Sequence, residues 1–156
     1  MKKIVLIVIA TLGLWSPMPA LSATNHEPMG KMEHMEHMGG VAHEEVVNGV
    51  KTTFKVTSMA EHLKAMGMAM PKGLKETHHI SIEFKDAKSG KALTQGEVKV
   101  RVQGPGKSEQ TKDLMGMAGH FGADFDLSQK GRYGVMCKFN LEDGKGRQAR
   151  FWYEVK

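Results

Sequence analysis

The sequence predicts an all-β protein, a seven-stranded antiparallel β-sandwich of immunoglobulin-like layout with a disordered N-terminal tail. Three observations carry that expectation. From Val50 onward, short runs alternate apolar and polar residues with a period of two; Gly-, Asp- and Ser-rich turns separate the runs; and only one stretch shows helical spacing. A small barrel is the other closure that such a pattern allows.

Thr52, Phe54 and Val56 share one face of the first strand, and Lys51, Thr53 and Lys55 share the other. The helical exception follows, between Ser58 and Leu74. Ser58 caps a short helix with Glu61 at N3, Met59, His62, Leu63 and Met66 fall at helical spacing, and Gly67 and Pro71 stop it. The remainder, Met66 to Pro71, is expected as a loop or irregular strand across one end of the sandwich. His78, Ile80, Ile82 and Phe84 mark the second strand, which ends in the turn Asp86 to Gly90. Val98, Val100 and Val102 mark the third, which Gly104-Pro105-Gly106 breaks. Lys107 to Leu114 is a polar fourth strand, expected at an edge. Phe121 to Leu127, Tyr133 to Phe139 and Phe151 to Val155 supply the last three, with turns at Ser128 to Gly131 and Glu142 to Gly146. The domain is expected over residues 49–156.

Ahead of it, Lys2-Lys3, the apolar run Ile4 to Leu14 and the small-residue stretch Ala20 to Ala23 have the form of a secretory signal peptide over residues 1–23, too short to be trusted as a membrane span. Cleavage after Ala23 would leave one small domain plus a tail, soluble in a periplasm-like space and not membrane-spanning once mature. Residues 24–48 contain no Ile, Leu or aromatic residue and cannot bury enough apolar area to offset the entropy of ordering, so they are expected as a flexible Met- and His-rich tail. Cys137 is the single cysteine, which excludes an internal disulfide, and its strand neighbours Val135 and Phe139 favour a buried, inert thiol. The formal net charge is +5, but the lysines are scattered and no aromatic residues interleave with them, so nucleic acid is not an expected partner. Serine-nucleophile, Walker and His-Glu-x-x-His patterns are missing from the sequence, and an enzyme is not expected.

Three features point to metal. In the tail, Met29, Met32, Met35 and Met38 recur at every third residue with His34 and His37 between them. Thioethers are neutral and soft, so they suit Cu(I), with Ag(I) as its mimic, and hardly bind Zn(II) or Mg(II); the imidazoles extend the range to Cu(II). If the chain begins at Thr24, the free amine, two backbone amides and His26 frame a square-planar site for Cu(II) or Ni(II). In the domain, Met66, Met68 and Met70, with Met115, Met117 and His120, form two glycine-punctuated segments between strands. A sandwich gathers its loops at its ends, where these donors could meet. His78 and His79, adjacent at a strand start, should point to opposite sides, one toward that site or the core edge. His62 and His43 are expected as ordinary surface histidines. Against metal stands the use of methionine as an adaptable filler of core gaps.

The segments Asp86 to Gly90 with Val98-Lys99-Val100, Met115 to Phe121, and Gly131-Arg132-Tyr133 resemble the YtkA-like domain family and, more distantly, immunoglobulin-like copper carriers of bacterial periplasms, over about residues 76–156. The resemblance implies an exported sandwich associated with copper efflux or oxidase assembly, with Met115, Met117 and His120 at a metal loop and a protein of one of those systems as partner. The chain lacks the His-x-Met pair of many periplasmic copper chaperones.

The combined expectation is a periplasmic Cu(I)- and silver-binding protein that sequesters or hands over metal. Its rival is a metal-independent interaction or assembly module whose exposed methionines make an adaptable face.

Overall fold

A computed structural model describes residues 40–156. The expected signal peptide and the tail donors His26, Met29, Met32, His34, Met35, His37 and Met38 lie outside the described residues.

Eight strands form, in chain order β1 (Val41–Val47), β2 (Val50–Ser58), β3 (His78–Asp86), β4 (Gly96–Gln103), β5 (Glu109–Met117), β6 (His120–Phe125), β7 (Gly131–Leu141) and β8 (Gly146–Val155), with one helix, α1 (Met59–Ala65). The spatial order is β1-β2-β3-β6-β5-β4-β7-β8, antiparallel at every pairing. The inner face carries the period-two residues, with Phe54, Ile80, Ile82, Phe84, Val100, Phe125, Tyr133, Val135 and Cys137 at its centre.

Three expectations are corrected. Residues 41–47, assigned to the tail, form an additional strand. Asn48 and Gly49 take positive φ values of 46° and 80°, the primed turn that lets a two-residue loop join right-twisted strands, and Val47 then packs against the core. The fourth expected strand is not an edge: β5 pairs with β4 through Glu109 to Leu114 and with β6 through Met115 to Met117. One strand therefore carries hydrogen bonding from one half of the sheet to the other, and glycine within it, at Gly116, suits a corner. The third correction follows from both. The structure is a nearly closed eight-stranded barrel or sandwich rather than a seven-stranded, two-sheet fold. At the seam, the Arg150 N–H donates to Glu45 Oε1 at 3.3 Å and the His43 ring stacks on Phe151 with centroids 5.1 Å apart.

Helix α1 follows the expected signals. The Glu61 N–H donates to Ser58 Oγ at 3.3 Å, and Ser58 Oγ donates to Glu61 Oε2 at 2.8 Å. At the other end Gly67 (φ 68°) sits in the left-handed region, so that the Met68 and Gly67 N–H groups bond the Leu63 and Lys64 carbonyls at 2.9 and 3.0 Å, a Schellman stop. Met59 and Leu63 are the buried face. Among the described residues, no helix is long and apolar enough to cross a membrane.

Cys137 lies in the core, fully buried, and that burial, with Glu45 as a lesser influence, pushes its thiol up to about 12. The unfolded chain releases this proton near pH 9 while the folded chain keeps it, so the contribution is complete below pH 9 and is lost as pH rises toward 12. Urea unfolding should therefore show the parent losing about 1.4 kcal/mol more than Cys137→Ala between pH 8 and pH 10. Equal losses in both proteins would mean the thiol is not the titrating group.

Candidate metal centre

Register decides which side chains meet. Directly opposed residues of an antiparallel pair share a face. Between β3 and β6 the pairs are His79 with Asp124 and Ser81 with Gly122, and between β5 and β6 they are Met117 with His120 and Met115 with Gly122. Ile80, Ile82, Phe121 and Phe125 take the inner face. His79, Asp124, Gly122, His120, Met115 and Met117 consequently lie together on the outer one. The hairpin turn Ala118-Gly119, with φ values of 30° and 92°, holds Met117 and His120 side by side.

His79 is the centre of this group. Its side chain is 6% exposed, and its Nδ1 lies 2.6 Å from Asp124 Oδ1. An ionised carboxylate only accepts, so Nδ1 carries the proton, and in the neutral ring the lone pair is on Nε2. Nε2 is buried and has no hydrogen-bond partner. It faces the backbone of Gly122: a methyl group placed on that glycine would sit 2.6 Å from His79 Nε2 and 2.9 Å from Met117 Cε. The imidazole nitrogen and the terminal methyl of Met117 thus approach one point, and they can do so because residue 122 has no side chain.

Two further rings complete the surroundings. His62, carried by α1, stacks on His79 with centroids 4.0 Å apart and planes 6° from parallel. His120, largely buried, stands perpendicular to His79 at 6.5 Å. Neighbouring His78 points to the other side, toward Tyr153 at 6.2 Å, with Nδ1 2.9 Å from Thr77 Oγ1; burial lowers its pKa. The opposed orientation expected for the two adjacent histidines is what forms.

Of the domain donors named from sequence, Met117 and His120 converge on His79. Met115 shares their face and is 74% exposed. Met66 is the C-cap of α1, and Met68 and Met70 follow in the succeeding loop, all three exposed. His62 and Asp124 were not assigned to the site from sequence. Asp124 has no local signal, since its partner is 45 residues away. His62 shared the helical spacing of Met59 and Leu63, and that periodicity was the available clue. Among the described residues, no group of three or more His, Cys, Asp or Glu side chains is arranged to hold a metal ion.

No protein-family model matches the sequence, and no curated protein does. The fold is similar to that of a copper-bound variant of FetP from uropathogenic Escherichia coli (TM-score 0.56, 11% identity, 72% of this chain and 93% of that one). It is similar also to a DUF4426 family protein of Pseudomonas aeruginosa (0.55, 12%, 72% and 96%) and to a copper-bound variant of Campylobacter jejuni P19 (0.54, 10%, 74% and 96%). These likenesses carry the fold. The YtkA-like resemblance rests on its own short motifs.

Gly122→Ala should force the His79 ring or its strand to move and cost about 1–3 kcal/mol in urea unfolding. Gly116→Ala, whose new methyl would meet Phe121 at an ordinary 3.6 Å, serves as the control. If the two variants lost equal stability, the close approach at Gly122 would not be the constraint.

Proposed function

We propose that this chain is an exported carrier of a soft monovalent metal ion, Cu(I) foremost, with His79 Nε2 and the Met117 thioether as donors and His120 beside them. The observation that carries the reading is the buried His79 Nε2, its lone pair without a hydrogen-bond partner and the Met117 side chain brought to the same point over Gly122. A metal-bound imidazole whose other nitrogen donates to a carboxylate is the recurrent arrangement at protein metal sites, because the carboxylate fixes the tautomer and makes the ring a better donor. Two thermodynamic facts favour Cu(I) or Ag(I) over harder ions: thioether sulfur binds soft cations, and neutral donors keep their affinity without competition from protons on sulfur. Solved proteins of similar fold bind copper, which supports the same reading.

A second reading is favoured by a different observation. Met66, Met68, Met70 and Met115 are exposed on the described domain, and its oxygen, nitrogen and thiol donors form no three-residue cluster. In that reading the methionines are an adaptable face for another protein, with no metal involved.

Anaerobic competition with a chromophoric chelator separates the two. The carrier reading expects one Cu(I) or Ag(I) bound in the domain, its loss in His79→Ala, and an affinity about 10–100-fold lower in Asp124→Asn, where the tautomer is no longer fixed. Binding that survives His79→Ala unchanged, or a folded domain indifferent to both ions, would leave the interaction module as the function.

A further inference from the structure

The outer face of β4, β7 and β8 carries an arrangement that the metal reading does not use. Trp152 stands on that face and is 64% exposed. Its ring lies across Gly134, the residue opposite it in the ladder: a methyl group placed on that glycine would sit 3.1 Å from Trp152 Cζ3. The Arg132 guanidinium lies 4.5 Å from the ring centroid. The indole is held by bare backbone and a cation, outside the core.

Register supplies its surroundings. Arg101, Met136 and Arg150 form the next row across β4, β7 and β8, and Lys99, Lys138 and Gln148 form the row after it. Lys99 and Lys138 oppose each other directly, a pairing of like charges that costs a sheet stability. On the far side of β4, Lys99 and Arg101 reach Asp113 and Glu109 of β5 at 3.3 and 2.8 Å. Arg132, Lys138 and Arg150 make no such ion pair with a described residue. Glu154, opposite Arg132, is the one acidic side chain among the outward residues of β7 and β8. The face is therefore an exposed indole among cations whose charge the fold does not neutralise.

We infer that the outer face of β7 and β8 is a docking surface for an anionic phospholipid bilayer, with Trp152 at headgroup depth and Arg132, Lys138 and Arg150 on lipid phosphates. Charge sets the sign of the lipid, since cations at an anionic membrane surface each add to the attraction. Two features choose a bilayer over an acidic protein. A broad ring with a polar N–H suits the boundary between headgroups and acyl chains. The arginines and lysine have long stems that let their charged ends stay among hydrated phosphates, whereas a protein interface would have to strip that water away. In the strand order, β7 is three strands from β6 by way of β5 and β4, and β8 is four by way of β1. A domain docked through this face would keep the His79 cleft turned toward water. The inference stands apart from the carrier reading and does not depend on it.

The test uses the exported chain, expected to start at Thr24, in which Trp152 is the single tryptophan. Vesicles of equal parts phosphatidylglycerol and phosphatidylcholine should shift its emission to the blue and carry the protein down on sedimentation, and vesicles of phosphatidylcholine alone should do neither. Salt at about 1 M, where the screening length is about 3 Å, should release it. Arg132→Gln, Lys138→Gln and Arg150→Gln together should weaken binding about 10–100-fold. Lys64→Gln, Lys72→Gln and Lys75→Gln remove the same charge from exposed positions on α1 and its following loop, and should bind as the parent does. Equal losses in the two triple variants would mean that net charge and not this face is responsible, which overturns the inference. So would a parent whose Trp152 emission ignores the anionic vesicles, or one that responds to soluble polyglutamate and not to them, which would make the face a reader of acidic protein.

Discussion

The bond between His79 Nδ1 and Asp124 Oδ1 depends on a register, and everything proposed for the metal centre depends on that bond. Thr57, His79 and Asp124 are aligned across β2, β3 and β6. Because side chains alternate across a sheet, a slip of one residue would turn His79 inward and Ile80 outward. Burial of Ile80 and Ile82 therefore enforces the position of His79. The apolar core and the polar centre are two faces of one constraint, and a chain that kept the core could not readily lose the geometry outside it.

The second constraint is the corner at β5. Its first six residues extend the ladder of β4 and its last three turn to β6, so Met115 and Met117 are carried onto the same half of the sheet as β3. A flat two-sheet sandwich would have left these methionines in an end loop. The primed turn at Ala118-Gly119 then returns the chain without slack, so that His120 is set by the ladder rather than by a mobile connection. Helix α1 closes the arrangement from above, since Met59 and Leu63 anchor it and His62 lies over His79.

Much of this was legible in the sequence, and what was not has physical reasons. Alternation located β2, β3, β4, β6, β7 and β8, and Ser58, Glu61 and Gly67 gave the bounds of α1. Strand β1 was missed although Asn48-Gly49 between Val47 and Val50 is a strong hairpin signal; the polar composition of residues 24–48 outweighed it. Met115 and Met117 looked like loop residues because glycines separate and follow them. Reading Ala118-Gly119 as a two-residue hairpin turn would have paired Met117 with His120 and so placed both methionines with His120 and Asp124 on one face. Gly122 left no trace at all. A space that exists because a side chain is missing is visible only once His79 is known to lie over it, and the ladder pairs those strands across more than forty residues of sequence.

Charge balance adds an argument for the valence of the proposed ion. The proposed donors, His79 in its Asp124-bonded tautomer and the Met117 thioether, are neutral, and Asp124 is bonded directly to His79 at 2.6 Å. Glu83, on β3 with His79, is engaged by Lys55 at 2.9 Å. A partly buried cation is costly unless matched. In the proposed site, one carboxylate behind the imidazole matches a monovalent ion better than a divalent one. In that proposal, donor softness and local charge favour the same ion. In that site Met117, 41% exposed, is the more accessible partner, while His79 Nε2 is buried.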